Sequence, residues 1–334
     1  MIFVSIASFR DKELIKTVKS CLAKAKYPEN IKIGVCWQYD EEEDLTALDN
    51  IPQVESYKIY WKDVESSVCW ARSVIQEKFF KDEEYYFQID SHTLFAQDWD
   101  ELLIEMYKSL PTDKAVISVG PSYYYDLTAE GAMNHLEWEP VELIDGLYHD
   151  SVIQQQKLDS AGSSHFMYGF LPAKDISKPI PARHISAALL FTVGKWVREV
   201  PYDPNLYFAG EEPTLTLRSY TNGYDIFNPN KFVVWHLKYH FPDRKRHWNT
   251  FDQTTINQKA AISNERYNRI VRGDDLGIYG LGTKRSLLDW EVYSGASYKD
   301  GVAHPDVFKG VVPNPVTITN LEEWEKIKAK QNDI

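Results

Sequence analysis

Between residues 2 and 121, apolar runs of strand length are interleaved with longer segments whose apolar residues recur at helical spacing. IFVSIAS (2–8) predicts a buried strand. The segment after it, DKELIKTVKSCLAKAKYP, carries Leu14, Ile15, Val18, Cys21 and Leu22 on one face and predicts a helix ended by Pro28. IKIGVCWQ (31–38) and VESYKIYW (54–61) read as the next strands, separated by the acidic turn YDEEEDL. A helix is expected over 66–81, a strand at YYFQID (85–90), and a strand at AVISVGP (115–121). Between the last two, WDELLIEMYKSL (99–110) is amphipathic, with Trp99, Leu102, Leu103 and Met106 on one side. Elements in this order build an open, mostly parallel α/β sheet covered by helices on both faces. Ligands of such sheets collect beyond the carboxyl ends of the strands.

The fourth strand ends at such an edge by presenting Asp90 and His92, two positions apart. Residues i and i+2 of an extended chain project to the same side, so a carboxylate and an imidazole can converge on a divalent cation. That pair suits Mn2+ better than Ca2+ and also admits Zn2+ or Mg2+. The plainer alternative is an Asp that caps the helix after it. A distant further ligand is on offer in VVWHLKYH, where His236 and His240 compete; each can also be an ordinary strand or surface histidine.

Other polar residues fall at comparable points. Ser8 and Arg10, in SIASFRD (5–11), stand where the first strand meets the first helix and suit the base or phosphates of a nucleotide. Arg72, near the start of a helix in WARSVIQEKF, is either a phosphate ligand or an ordinary surface charge. FAGEEPTL places Glu211 and Glu212 at the start of a helix that Gly223 closes. Two adjacent carboxylates there can do acid–base or acceptor-orienting work, or can simply favour the helix dipole.

Composition narrows the partners. Of 334 residues, 43% are hydrophobic and 14% aromatic, enough for a full core. The formal charge of −12 gives no general attraction to nucleic acid or anionic lipid, so an anionic ligand needs a local site. The three cysteines form no CxxC pair, and Cys21 and Cys36 read as small core residues. With the first strand starting at Ile2 there is no room for a signal peptide, and no apolar run reaches membrane-spanning length; the expected location is the cytoplasm. No GxGxxG, P-loop, GxSxG or HExxH motif occurs. Residues 122–180 lack periodicity and read as long loops or an insertion over the sheet. The expected divisions are 1–121 and 122–300 as two halves of the same body, and 301–334 as a C-terminal extension.

Four colinear blocks, SIASFRDKELIKTVKSCLAKAKYPENIKIGVCWQ, ARSVIQEKFFKDEEYYFQIDSHTLFAQDWD, PYDPNLYFAGEEPTLTLRSYTNGYDIFNP and YGLGTKRSLLDWEVYSG, resemble the polypeptide-hydroxyproline N-acetylglucosaminyltransferase family between residues 2 and about 295. The resemblance implies a GT-A glycosyltransferase fold, with a mostly parallel Rossmann-like sheet flanked by helices and a loop-rich acceptor region. It also implies a UDP-sugar donor, a divalent metal (Mn2+ as a rule, Mg2+ as an alternative) and retention of anomeric configuration, with 1–121 as the nucleotide-sugar-binding half and 122–300 as the acceptor-binding and metal-completing half. Asp90 and His92 then fill the DxD-like metal position, with His236 or His240 as the further ligand. Arg10 and Arg72 match the nucleotide end, and Glu211 and Glu212 the acidic segment that borders donor and acceptor. The expected sugar is GlcNAc, with UDP-glucose and UDP-galactose as alternatives. The acceptor is a hydroxyl, on a polypeptide by family analogy, or else on a glycan or a hydroxylated DNA base served by basic residues such as Arg244 and Arg246. A catalytically silent nucleotide-sugar-binding module and a metal-dependent hydrolase are the competing classes.

Overall fold

The computed structural model describes residues 1–64, 67–124, 147–158, 163–173, 177–237, 245–307 and 316–332. The chain opens with β1 (Ile2–Phe9), α1 (Leu14–Lys24), β2 (Ile31–Tyr39), β3 (Val54–Tyr60), α2 (Val68–Lys78) and β4 (Tyr85–Asp90). It continues through β5 (Thr93–Phe95), α3 (Trp99–Lys108), β6 (Ala115–Ser118), β7 (Ser122–Tyr124), β8 (Leu147–Leu158) and β9 (Ser163–Ala173). Then come β10 (Ile180–Pro181), β11 (Leu189–Val193), α4 (Lys195–Glu199), α5 (Glu211–Thr221), β12 (Asp225–Asn228) and β13 (Val234–Leu237). The last elements are α6 (Gln253–Arg272), α7 (Leu287–Ser294), β14 (Ala296–Ser297), β15 (Val302–Ala303) and α8 (Leu321–Asn332).

Eight strands form the main sheet in the order β10-β12-β6-β11-β4-β1-β2-β3. The pairs β3–β2, β2–β1, β1–β4 and β6–β12 are parallel, whereas β11 runs antiparallel to both β4 and β6. Alternation along the strands divides the core into two layers. Ile2, Val4 and Ile6 of β1, with Phe87 and Ile89 of β4, pack with Val18, Trp99 and Leu103 of α1 and α3. Phe3 and Tyr86 point to the opposite layer, with Ile75 of α2, Trp196 of α4 and Leu215 of α5. Strands covered on both faces must be apolar at nearly every position, which is why these segments read as continuous runs. Each large side chain buried in this way contributes roughly 1.5–3 kcal/mol. α2 and α5 therefore share one face of the sheet, an arrangement that matters at the site.

Within the region read as long loops or an insertion over the sheet, β8 and β9 pair as a two-stranded antiparallel ribbon. A ribbon outside the main sheet is under little pressure to alternate strictly, so its sequence carries a weak period. The reversed β11 is compatible with a sheet that is mostly parallel, and a buried strand has the same composition in either direction. Among the described residues, no helix is long and apolar enough to cross a membrane. Cys21, Cys36 and Cys69 are all buried free thiols, the first two as expected.

The turn from β11 into α4 sits against the start of β4: a Cβ added at Gly194 would lie 1.8 Å from the carbonyl oxygen of Glu83. Replacement Gly194→Ala is expected to lower stability by about 3 kcal/mol, the upper end for forcing a methyl into packed structure. Urea titration checks this, and an unchanged midpoint would mean that the turn opens freely.

Candidate active site

β4 lies between β1 and β11 and ends at Asp90, level with Ala7 of β1. The chain bends at Ser91 and His92, so these two are past the strand and the turn itself, not strand alternation, brings Asp90 and His92 together. α1 fixes that turn: Thr17 donates its hydroxyl to the Ser91 carbonyl at 2.8 Å and accepts the Thr93 N–H at 2.9 Å. Just beyond, β5 pairs antiparallel with β13, setting His236 opposite Thr93, and the Leu237 N–H donates to the His92 carbonyl at 3.0 Å. His236 Nε2 is thereby carried to 2.9 Å from His92 Nε2 and 3.1 Å from Asp90 Oδ2. Asp90, His92 and His236 each offer one ligand atom, and these atoms lie within 4.8 Å of one another. Two imidazole nitrogens and a carboxylate oxygen form a donor set that fits Mn2+ or Zn2+.

The shell around this cluster is equally specific. Asp11 Oδ2 lies 2.7 Å from His92 Nδ1 and accepts the Ser91 hydroxyl at 2.7 Å. The sequence reading passes over Asp11, although it stands at the same edge of the sheet as Ser8 and Arg10; an acid two residues beyond a strand is the available signal. Asp90 Oδ1 accepts from Arg72 Nη2 at 2.8 Å, while Arg72 Nη1 donates to Glu211 Oε1 at 2.5 Å. Arg72 also donates to the Ala187 carbonyl at 3.1 Å. Its side chain is only 2% exposed. That corrects the surface-charge alternative, and both terminal nitrogens are engaged by protein oxygens where a phosphate ligand would need them. Burial pushes the Asp90 carboxyl up, but the His236 hydrogen bond and the charges of Arg72 and the histidines outweigh it and hold Asp90 well below the usual carboxylate range. Burial wins at Glu211, raising its carboxyl despite Arg72.

Glu211 and Glu212 diverge. Glu211 is buried on Arg72, whereas Glu212 is 34% exposed, accepts the Ala187 N–H at 2.9 Å and lies 3.5 Å from His184 Nε2. Burial pushes Glu212 up as well, yet the His184 contact leaves it below its ordinary range. Both follow Gly210, whose φ of 90° lies in the left-handed region. Arg10 is turned away from the cavity: it pairs with Asp40, and its guanidinium lies 4.3 Å from the Trp61 ring centre. Ser8 is fully buried at the cavity floor. The cavity, of about 150 Å³, is lined by Ser8, Asp90 and His92 together with Tyr207, Phe208 and residues 245–248. Phe208 and Trp248 form an exposed ring pair there, 4.9 Å between centres, with Arg246 over Trp248 at 5.7 Å. His240 and Arg244 lie outside the described residues.

Removing the cation from the Asp90–Arg72–Glu211 chain leaves two carboxylates without their shared partner. Arg72→Met is expected to cost about 3–5 kcal/mol, read from denaturant melts; a loss under 1 kcal/mol would show that water replaces the guanidinium. The lowered Asp90 carboxyl stabilises the fold above its unfolded pKa of about 3.9 and loses that contribution as pH falls further. The stability gap between wild type and Asp90→Asn should therefore narrow below pH of about 4. A gap constant from neutral to strongly acid pH would remove Asp90 from the acid limb.

The family model described as Glycosyltransferase (GlcNAc) matches this chain in two overlapping stretches, residues 1–68 and 46–300. No curated protein sequence matches it. Among solved structures, GalNAc-T7 with UDP, GalNAc and Mn2+ superposes with a TM-score of 0.59 at 14% identity, over 99% of this chain and 55% of that one. The chain thus spans about half the length of that relative, and the likeness is one of fold. S. aureus TarS 1-349 in complex with UDP-GlcNAc is similar at 11% identity and a TM-score of 0.46, over 83% of this chain and 68% of that one. The GT-A architecture expected from the sequence is the one observed, and with most of its length matched the chain belongs to the GlcNAc glycosyltransferase family.

Proposed function

We propose that the chain is a divalent-metal-dependent glycosyltransferase that moves a sugar, GlcNAc in the first instance, from a UDP-sugar to a hydroxyl acceptor with retention of configuration. The observation that carries this reading is the convergence of Asp90, His92 and His236 on one point at the carboxyl edge of the parallel strands, with Asp90 and His92 lining the cavity. Family membership supports the reaction class, and the GalNAc-T7 structure, which holds UDP, GalNAc and Mn2+ on the same fold, supports the donor and the cation.

The three ligand residues would hold the cation, which when bound supplies Lewis-acid neutralisation of charge on the leaving diphosphate. Asp90 would offer it Oδ2, the oxygen beside His236, while Oδ1 accepts from Arg72. Ser8 and Phe9 line the cavity where the nucleotide would lie, and Lys245 and Arg246, in the same lining, carry charge suited to phosphate oxygens. Glu211 acts through Arg72 and positions Asp90. Glu212, the more exposed acid, is the better candidate to hold a sugar or acceptor hydroxyl. A polypeptide hydroxyl is the favoured acceptor, on the resemblance to hydroxyproline-modifying enzymes.

Wild-type protein should release UDP from one donor of a UDP-sugar panel in the presence of Mn2+ and an acceptor, and not with EDTA. Asp90→Asn should lower that rate by at least about 100-fold, equivalent to roughly 2.7 kcal/mol, while its circular dichroism stays that of the wild type. Full turnover in Asp90→Asn, or turnover insensitive to EDTA, would remove the metal from the mechanism. UDP-sugar and UDP that both fail to raise the melting temperature with Mn2+ would count against the donor class.

A further inference from the structure

We propose that Asp11 is a positioning residue for the cation site, fixing the His92 ring as the Nδ1–H tautomer so that its Nε2 lone pair faces Asp90 and His236. The inference rests on the metal-binding reading above and concerns a residue that no part of that reading uses. An ionised carboxylate only accepts hydrogen bonds. At 2.7 Å from Asp11 Oδ2, His92 Nδ1 therefore carries a proton, and Nε2 is the ring nitrogen turned toward Asp90 and His236.

His92 Nε2 faces His236 Nε2 at 2.9 Å, and His236 Nε2 lies 3.1 Å from Asp90 Oδ2, so the ring orientation set from the Nδ1 side decides where one of the three ligand atoms sits. Asp11 sets that orientation, and it is itself held. Ser91 donates to the same Oδ2 at 2.7 Å, the Glu13 N–H donates to Oδ1 at 3.0 Å, and the side chain is 11% exposed.

A purely structural role competes with this one. Asp11 Oδ1 takes the Glu13 N–H, and its carbonyl takes the Leu14 N–H, both of which serve the first turn of α1. The roles use different oxygens, so they can be separated. Asp11→Ser keeps a short acceptor for the turn but cannot reach His92. The experiment uses the full chain, stripped of metal and labelled with 15N-histidine, with His92→Gln to assign the His92 signals. In wild type the His92 ring should show a protonated Nδ1 and a bare Nε2, and Asp11→Ser should lose that preference. Mn2+ affinity by electron paramagnetic resonance should fall about 10–100-fold in Asp11→Ser, the usual effect of losing a carboxylate behind a histidine ligand, at a near wild-type melting temperature.

Asp11→Asn, which keeps one oxygen for either partner, should fall between the two. A His92 proton on Nε2 in the wild type overturns the proposal, and this holds even should Asp11→Ser not fold. So does equal Mn2+ affinity in wild type and Asp11→Ser. Wild-type protein that binds no Mn2+ at all would instead overturn the metal-binding reading, and this proposal with it.

Discussion

The two ends of the site meet on one buried cation. Arg72, on α2, bonds Asp90 at the end of β4 and Glu211 at the start of α5, residues that lie 18 and 139 positions away in the chain. A guanidinium removed from water is costly unless its donors are engaged, and here two carboxylates and a carbonyl engage both terminal nitrogens, while Nε is buried without a partner among the described residues. Because α2 and α5 pack on the same face of the sheet, the pairing is a consequence of layer geometry as much as of side-chain chemistry. It fixes the angle at which Asp90 leaves β4, and so the position of everything that Asp90 contacts.

The cation cluster draws on a second, smaller construction. Asp90 belongs to the eight-stranded sheet, but His236 belongs to a three-stranded one, order β5-β13-β7, that grows from the turn after β4. β5 begins one residue after His92, so the strand that brings His236 is anchored by the same turn that presents the other two ligands. A shift of register by one residue in β13 would point His236 to the opposite face. Burial of Leu94 and Leu237 against each other secures that register.

Much of this was legible in the sequence, and the limits are physical. Asp90 and His92 stood out because an apolar run ended in an acid at the edge where ligands bind. The helices at 99–108 and 211–221 were legible from spacing and from Gly223, whose φ of 91° marks the stop after α5. Arg72 was not readable, because α2 buries Arg72 and Gln76 along with Ala71 and Ile75 and its polar residues do not mark its solvent side. Asp11 was hidden by its setting, since an acid between a strand and a helix has the bland role of a cap and fills that role here as well. His236 could be named as a candidate, but its distance from Asp90, 146 residues in sequence, is closed by a strand pairing that no local pattern encodes.

Charge explains why a cation is suited to this place. The carboxylates of Asp11, Asp90 and Glu211 stand around the cluster, and the Arg72 guanidinium pairs with the last two. Negative charge so placed repels a diphosphate in surroundings where screening by water is reduced. Lys245 and Arg246 are cations that also line the cavity. On the proposed reading, a divalent ion on Asp90, His92 and His236 would offset that charge with one carboxylate and two imidazoles as its ligands. With a single anionic ligand such an ion would keep more of its charge for phosphate oxygens than a site of three carboxylates would leave it. Arg72, by pairing with Asp90 Oδ1, leaves Oδ2 as the oxygen beside His236.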